Sequence, residues 1–377
     1  MIKGKIAFFI STCHGGGAER VMVTFANAFA KKGIETDLVV CSLTGPYVDE
    51  IDKRVNVFDL KKDRVSRSLP ALLRYIRENK PTVMVSSLIH ANIIAVIAKL
   101  LSREKFRLAI REASTPSMAN KTGNSPYPPV KTRLVSFLQK RLYKYADFVI
   151  APSKGVALDL VENKIAPESK VHVIYNPVDI EMIQKRMNEP VSHPWFKESV
   201  PVILSAGRLT KPKDYPTLIK AFSIVEKRTP CKLIILGEGE KRKELEELVK
   251  ELGLEGKVDM PGFVENPFAY MARASVFVLS SLWEGLPNVL IQAMVCGTPV
   301  VATDCPSGPR EILEDGRYGR LAPPGDWEKI ADEISLSLSK VYKQQQENKE
   351  RANFFSVDRS VNILCELLNL LETGEVK

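Results

Sequence analysis

Residues 276–303 read VFVLSSLWEGLPNVLIQAMVCGTPVVAT. Residues 276–280 form an apolar run of strand length, residues 288–295 carry apolar side chains at helical spacing, and residues 299–303 are a second β-branched run. Two strands joined through a helix are parallel, and apolar runs without alternation belong to strands covered on both faces. Pro287 suits the first turn of the helix, where its missing N–H costs nothing. Glu284 stands just ahead of that turn.

The same βαβ pattern extends in both directions. Upstream, strands are expected at 202–206, 232–236 and 258–260, with helices at 217–227 and 240–252, and a further helix follows at 327–340. The first half adds strands at 5–10, 36–42, 55–60, 82–86, 107–111, 148–151 and 171–175, with helical spacing at 21–31 and 91–101. Periodicity lapses over 176–199, where Pro177, Pro190 and Pro194 occur. The expected organisation is α/β: an N-terminal Rossmann-like domain at 1–176, a linker at 177–199, a second Rossmann-like domain at 200–355, and a helix at 356–377 packing back on the first domain. The two domains face each other across a cleft, since ligands of open α/β sheets bind at the carboxyl ends of the strands.

Composition narrows the class. The 377 residues are 45% hydrophobic and 26% charged, with no low-complexity tract, which excludes disordered, collagenous and coiled-coil chains. No apolar run reaches the roughly 18 residues of a spanning helix, and residues 1–10 are too short and strand-like for a secretory signal. The expected location is therefore the cytoplasm; a peripheral place on the inner face of the cell membrane is an expectation from the charge asymmetry and the resemblance below. Cysteines 13, 41, 231, 296, 305 and 365 form no C-x-x-C pair, so reduced core thiols are expected rather than a disulfide framework, and no metal site. Residues 1–198 carry 31 Lys and Arg against 19 Asp and Glu, whereas the remainder carries 23 against 26. A basic half beside a slightly acidic one points to a polyanion or an anionic membrane surface as partner of the first half.

Three turns carry chemistry. The first strand ends in STCHGGGAER, residues 11–20, whose glycines permit close backbone approach and whose helix start presents N–H groups to an anion. The loop is neither G-x-G-x-x-G nor Walker A, which argues against dinucleotide dehydrogenases and kinases. At 207–214, GRLTKPKD places Arg208 and Lys213 after a strand, a fork and a point charge suited to adjacent phosphates. In the third turn Glu284 can accept sugar hydroxyls, while the N–H groups of Leu286, Asn288 and Val289 can face a diphosphate.

GGGAER, GRLTKPKD, LGEGE, GFVENP at 262–267, SSLWEGLPNVLIQAM, GTPVVATD and CPSGPREIL, in this order, resemble the retaining family-4 glycosyltransferases of GT-B fold. The resemblance implies a sugar nucleotide, most often a UDP-sugar, held by the C-terminal domain and an acceptor held by the N-terminal domain. No cofactor and no catalytic metal are implied. It assigns Arg208 and Lys213 to the donor diphosphate, Glu284 to the donor sugar, and Gly207 and the 285–289 backbone (Gly285, Leu286, Pro287, Asn288, Val289) to sugar and phosphate. Phe263 and Val264 would border the nucleobase, and Gly16 and Gly17 would close over the phosphates. The family places a second glutamate eight positions after the first for the ribose; here that position is Gln292, which keeps hydrogen bonding without the charge. Many members place a histidine after the fifth strand, where this chain has Arg111 and Glu112. With His14 and His90 these are the acceptor-side candidates.

The opening and CPSGPREIL segments look like those of bacterial enzymes extending polyprenyl-diphosphate-linked oligosaccharides or O-antigen units. The expected activity is transfer of a hexose or N-acetylhexosamine to a lipid-linked or polysaccharide acceptor. A UDP-sugar epimerase of the same fold and a non-catalytic sugar-nucleotide-binding subunit are the alternatives; nucleic acid is not an expected partner. Basic amphipathic segments at 61–80 and 131–145 would either cover the sheet or lie at an anionic membrane. Between them, 115–130 is expected to be a mobile loop over the acceptor cleft.

Overall fold

The computed structural model describes residues 4–14, 16–121, 129–339 and 345–369. The chain divides into two compact units, Met1–Pro177 with Val357–Lys377, and Val178–Ser356.

In the first unit, β1 (Ile6–Ile10), β2 (Thr36–Val40), β3 (Asn56–Asp59), β4 (Val83–Ser87), β5 (Arg107–Arg111), β6 (Phe148–Ala151) and β7 (Val171–Val173) form one sheet, ordered β3-β2-β1-β4-β5-β6-β7. All its pairings are parallel. β1, at the centre, is buried at every position, as a strand covered on both faces must be. Its helices are α1 (Gly17–Lys31), α2 (Leu69–Asn79), α3 (Ile89–Leu101), α4 (Pro116–Lys121), α5 (Pro129–Leu142) and α6 (Lys154–Glu162).

The second unit begins with α7 (Ile180–Arg186). Its sheet comprises β8 (Val202–Ala206), β9 (Lys232–Leu236), β10 (Val258–Gly262), β11 (Val276–Leu279), β12 (Val300–Thr303) and β13 (Arg320–Ala322), ordered β10-β9-β8-β11-β12-β13 and parallel throughout. α8 (Tyr215–Arg228), α9 (Arg242–Glu251), α10 (Pro267–Arg273), α11 (Asn288–Val295), α12 (Pro309–Ile312), α13 (Trp327–Ser339) and α14 (Gln345–Ala352) surround it. α15 (Val357–Leu367) returns to the first unit, where Val361, Leu364 and Cys365 share an apolar cluster with Phe8 and Phe29.

Several segments differ from the sequence reading. The stretch read as a linker is folded into the second unit: Asp179 caps α7 through Met182 N–H, and His193 Nε2 lies 2.8 Å from Asp259 in β10. Pro177 and Pro190 lie on either side of α7, and Pro194 opens a short 3-10 turn, Pro194–Lys197, so the prolines punctuate the segment without releasing it. The segment read as a loop at 115–130 contains α4, whose Ser117 N–H donates to Asp159 of α6 at 3.2 Å, and the start of α5; its residues 122–128 lie outside the described set. β13 escaped the sequence reading because it has three residues at the sheet edge, two of them only partly buried. The helix read over 327–340 is described over Trp327–Ser339 and the one over 356–377 over Val357–Leu367; residues 340 and 370–377 lie outside the described set.

Candidate active site

In each sheet the strand order reverses beside the first strand of the unit, at β1/β4 and at β8/β11. Helices leave in opposite directions at such a point, so a crevice opens at the carboxyl ends of those strands. The chemistry-bearing turns of the sequence all emerge there.

In the second unit β8 runs into Gly207 and Arg208, and β11 into the 280–287 turn. Lys213 Nζ lies 2.5 Å from Glu284 Oε1, both side chains largely buried. The same carboxylate oxygen accepts from Ser281 Oγ at 2.6 Å, and Ser307 Oγ donates to the Glu284 carbonyl at 2.5 Å. Ser280 Oγ holds the Lys213 carbonyl at 2.7 Å, and Leu282 N–H donates to Pro212 at 2.8 Å. The two turns are thus laced together, and Glu284 is held in one orientation. Arg208, which follows β8 five residues before Lys213, is exposed. Ser280, Ser281 and Ser307 were not singled out in the sequence; serines after strands are too common to signal a supporting role.

Backbone shape fixes how closely these turns approach. At Gly237 (φ +135°) a Cβ would sit 2.0 Å from the Gly207 carbonyl oxygen, so only glycine lets the ends of β8 and β9 approach. At Gly308 (φ +97°) a Cβ would lie 2.5 Å from Pro287 Cδ, which seats the 305–308 loop on the turn ahead of α11. Pro287 is the residue preceding α11, with ψ 93°, rather than its first helical residue. Gly285, Leu286, Asn288 and Val289 surround that helix start, and Gln292 is half-buried one turn along α11. Phe263, immediately after β10, is 73% exposed, with the half-buried Val264 beside it. Cys305 is buried beside Glu284, and desolvation, with a further rise from Glu284, pushes its thiol up to about 12, so it stays neutral.

The first unit places Gly16 at the N-terminus of α1. A Cβ there would meet Glu19 Oε2 at 2.1 Å, whereas Gly17 has open space around it. His14 is exposed on the same loop. His90, half-buried in the first turn of α3, has its pKa lowered by burial and by Lys131. The residue before α3, Leu88, has φ +77°, a conformation that non-glycine residues hold only where the surroundings enforce it.

Arg111 and Glu112 have different surroundings from an exposed acceptor-side histidine. Both are buried. Arg111 donates to Ser87 Oγ at 3.3 Å and to Asn176 Oδ1, tying the ends of β4 and β5 to the chain beyond β7. Glu112 accepts from Gln139 at 3.1 Å and from the Tyr143 hydroxyl. Burial raises the Glu112 carboxyl to about 7 against the lowering effect of those donors. Burial also pulls Arg111 down to about 10, still cationic at neutral pH. Their partners lie at large sequence separation, so no local pattern announced them. Among the described residues no three His, Cys, Asp or Glu side chains converge to hold a metal, and every described cysteine is unpaired and buried.

Comparisons with known proteins bear on the fold and the family. A family model described as "Glycosyl transferases group 1" matches residues 190–353, and one described as "Glycosyltransferase Family 4" matches residues 15–182. The chain is 32% identical over 370 residues to the N-acetylgalactosamine-N,N'-diacetylbacillosaminyl-diphospho-undecaprenol 4-alpha-N-acetylgalactosaminyltransferase of Campylobacter jejuni, covering 92% of this chain and 95% of that protein. A second Campylobacter jejuni protein, the GalNAc-alpha-(1->4)-GalNAc-alpha-(1->3)-diNAcBac-PP-undecaprenol alpha-1,4-N-acetyl-D-galactosaminyltransferase, is 28% identical with 89% of each chain covered. Among solved structures, Anabaena Alr3699/HepE in complex with UDP-glucose superposes with a TM-score of 0.81 at 22% identity, covering 98% of this chain and 100% of that one. With two parallel sheets of the GT-B type and a relative matched over nearly its whole length, the chain belongs to the family-4 glycosyltransferases.

Proposed function

We propose that this glycosyltransferase is a retaining, metal-independent enzyme that moves an N-acetylhexosamine or hexose from a UDP-sugar to a polyprenyl-diphosphate-linked or polysaccharide acceptor. The observation that carries the reading is the Lys213–Glu284 pair at the β8/β11 switch point, with Arg208 exposed five residues before Lys213 in the turn after β8. Charge that develops on a departing nucleoside diphosphate is what a preorganised Arg/Lys clamp stabilises. Glu284, fixed by Ser281 and Lys213, would accept donor-sugar hydroxyls. Phe263 and Val264 would border the base and Gln292 the ribose, with Gly16 and Gly17 at the phosphates.

The named activities of the two Campylobacter relatives support an N-acetylhexosamine and a lipid-diphosphate acceptor. Glu284 is held through Oε1 by a lysine and a serine and is assigned to the sugar hydroxyls, and the Cys305 thiol stays protonated, so the reading assigns neither as a nucleophile. This favours attack from the face the leaving group departs, with the diphosphate oxygen receiving the acceptor proton. The basic first half would face the anionic surface that carries a lipid-borne acceptor.

The test is binding and slow hydrolysis of a panel of UDP-, GDP- and ADP-sugars with EDTA present. Selective loss of UDP from one UDP-sugar is the expected result. Binding of nucleotide with no turnover, even after addition of membrane extract, would overturn the catalytic reading.

A further inference from the structure

Between the turn that bears Arg208 and the loop that bears Phe263 stands a further charged side chain. Glu238 follows the end of β9 by two residues. Its carbonyl accepts from Leu209 N–H at 2.8 Å, and the N–H of its neighbour Gly237 donates to the Gly262 carbonyl at 2.8 Å, so its backbone is tied on both sides. The carboxylate lies against the last residue of β10: a Cβ on Gly262 (φ +91°) would stand 2.8 Å from Glu238 Oε1. Phe263, 73% exposed, is the next residue along the chain.

The orientation of the carboxylate is set by Arg242 of α9, which donates from Nε to Oε2 at 2.9 Å and from Nη2 to Oε1 at 2.6 Å. Arg242 is itself fixed, since its Nη1 donates to the Met260 carbonyl in β10 at 3.1 Å and to Glu246 at 3.1 Å. The fork thereby fastens the carboxylate to the strand that leads into Phe263, not to α9 alone. The same hydrogen bonds from Arg242 hold the Glu238 carboxyl below its usual range, so it is an anion at neutral pH. Its side chain is 55% exposed, which leaves lone pairs open to a ligand.

An exposed aromatic face takes a flat ring, and an anionic acceptor at the edge of that ring takes an N–H. Uracil and guanine carry a ring N–H on their pairing edge. Cytosine and adenine present a bare ring nitrogen there, whose lone pair a carboxylate repels. We propose that Glu238 selects the donor nucleotide, its carboxylate accepting the N3–H of a uracil ring laid on Phe263. The inference deepens, and rests on, the reading of a UDP-sugar donor.

Binding of UDP, CDP, 3-methyluridine diphosphate and 2'-deoxyuridine diphosphate to the full chain is measured by titration calorimetry. The parent binds UDP at least about tenfold more tightly than CDP or the 3-methyl nucleotide, the usual contribution of a hydrogen bond to a charged group. Glu238→Ala binds UDP and the 3-methyl nucleotide alike. Glu238→Gln, whose amide can donate to a bare ring nitrogen, narrows the gap between UDP and CDP. Glu246→Gln removes the other carboxylate that Arg242 holds and keeps the parental ratios. Each ratio is taken within one variant, so a lower folded fraction does not alter it. Equal ratios in the parent and Glu238→Ala would overturn the proposal. So would a penalty for the 2'-deoxy nucleotide that vanishes in Glu238→Ala, which would assign the carboxylate to the ribose. Failure of the parent to bind any uridine nucleotide removes the UDP-donor reading together with this one, whereas UDP binding without discrimination by Glu238 removes this one alone.

Discussion

Glu284 shows how one carboxylate is made specific by its neighbours. It has Lys213 at 2.5 Å and Ser281 at 2.6 Å, both bound through Oε1, so its charge is balanced and its orientation set before any substrate arrives. Arg208→Ala or Glu284→Ala should therefore lower turnover about a hundred- to thousandfold, as loss of a transition-state charge contact does. Near-parental kcat in both variants would remove the site assignment. Gln292 occupies the family's glutamate position with a neutral amide. Gln292→Glu should tighten UDP binding about fivefold, the difference between a neutral and a charge-assisted hydrogen bond to a ribose hydroxyl. Titration calorimetry with UDP reads this directly, and unchanged affinity would move the ribose elsewhere.

The end of β5 links elements that are far apart in the chain. Arg111 reaches Ser87 after β4 and Asn176 beyond β7, while Glu112 holds Gln139 of α5 and Tyr143 just after it. A carboxyl that titrates at about 7 when folded and 4.5 when unfolded binds its proton more tightly in the folded chain. Its contribution to stability is complete below pH 4.5 and is lost as pH rises through about 7. Glu112→Gln keeps an acceptor for the Tyr143 hydroxyl and removes the titration. Melting temperature should then fall less steeply across that window in the variant than in the parent. An identical slope would show that Glu112 does not titrate there.

The two units differ in how the chain builds them. The second is continuous, whereas the first is closed by α15, contributed from beyond it. Leu364 is buried in the cluster that holds Phe8 of β1 and Phe29 of α1, residues distant from it in sequence. Leu364→Ala should cost about 2–5 kcal/mol, the usual range for a core leucine truncated to alanine. In differential scanning calorimetry the loss should appear in the transition of the first unit and leave that of the second in place. A uniform shift of the whole endotherm would mean that the two units unfold as one.

The sequence by itself determined most of the strands, the longer helices between them and the turns that bear chemistry. Residues 107–111, 148–151, 202–206 and 232–236 are strands with the expected bounds, because interior parallel strands read as continuous apolar runs. The placement of Arg208, Lys213 and Glu284 in turns after β8 and β11 was likewise legible, since a strand end followed by charge and glycine is a local pattern. Local patterns reach only a few residues. That Lys213 pairs with Glu284, that Glu112 lies buried under Tyr143, and that α5 faces its leucine and phenylalanine outward were decided by strand order and helix rotation. Those depend on which distant segments meet, a property of the whole packing that no stretch of chain carries alone.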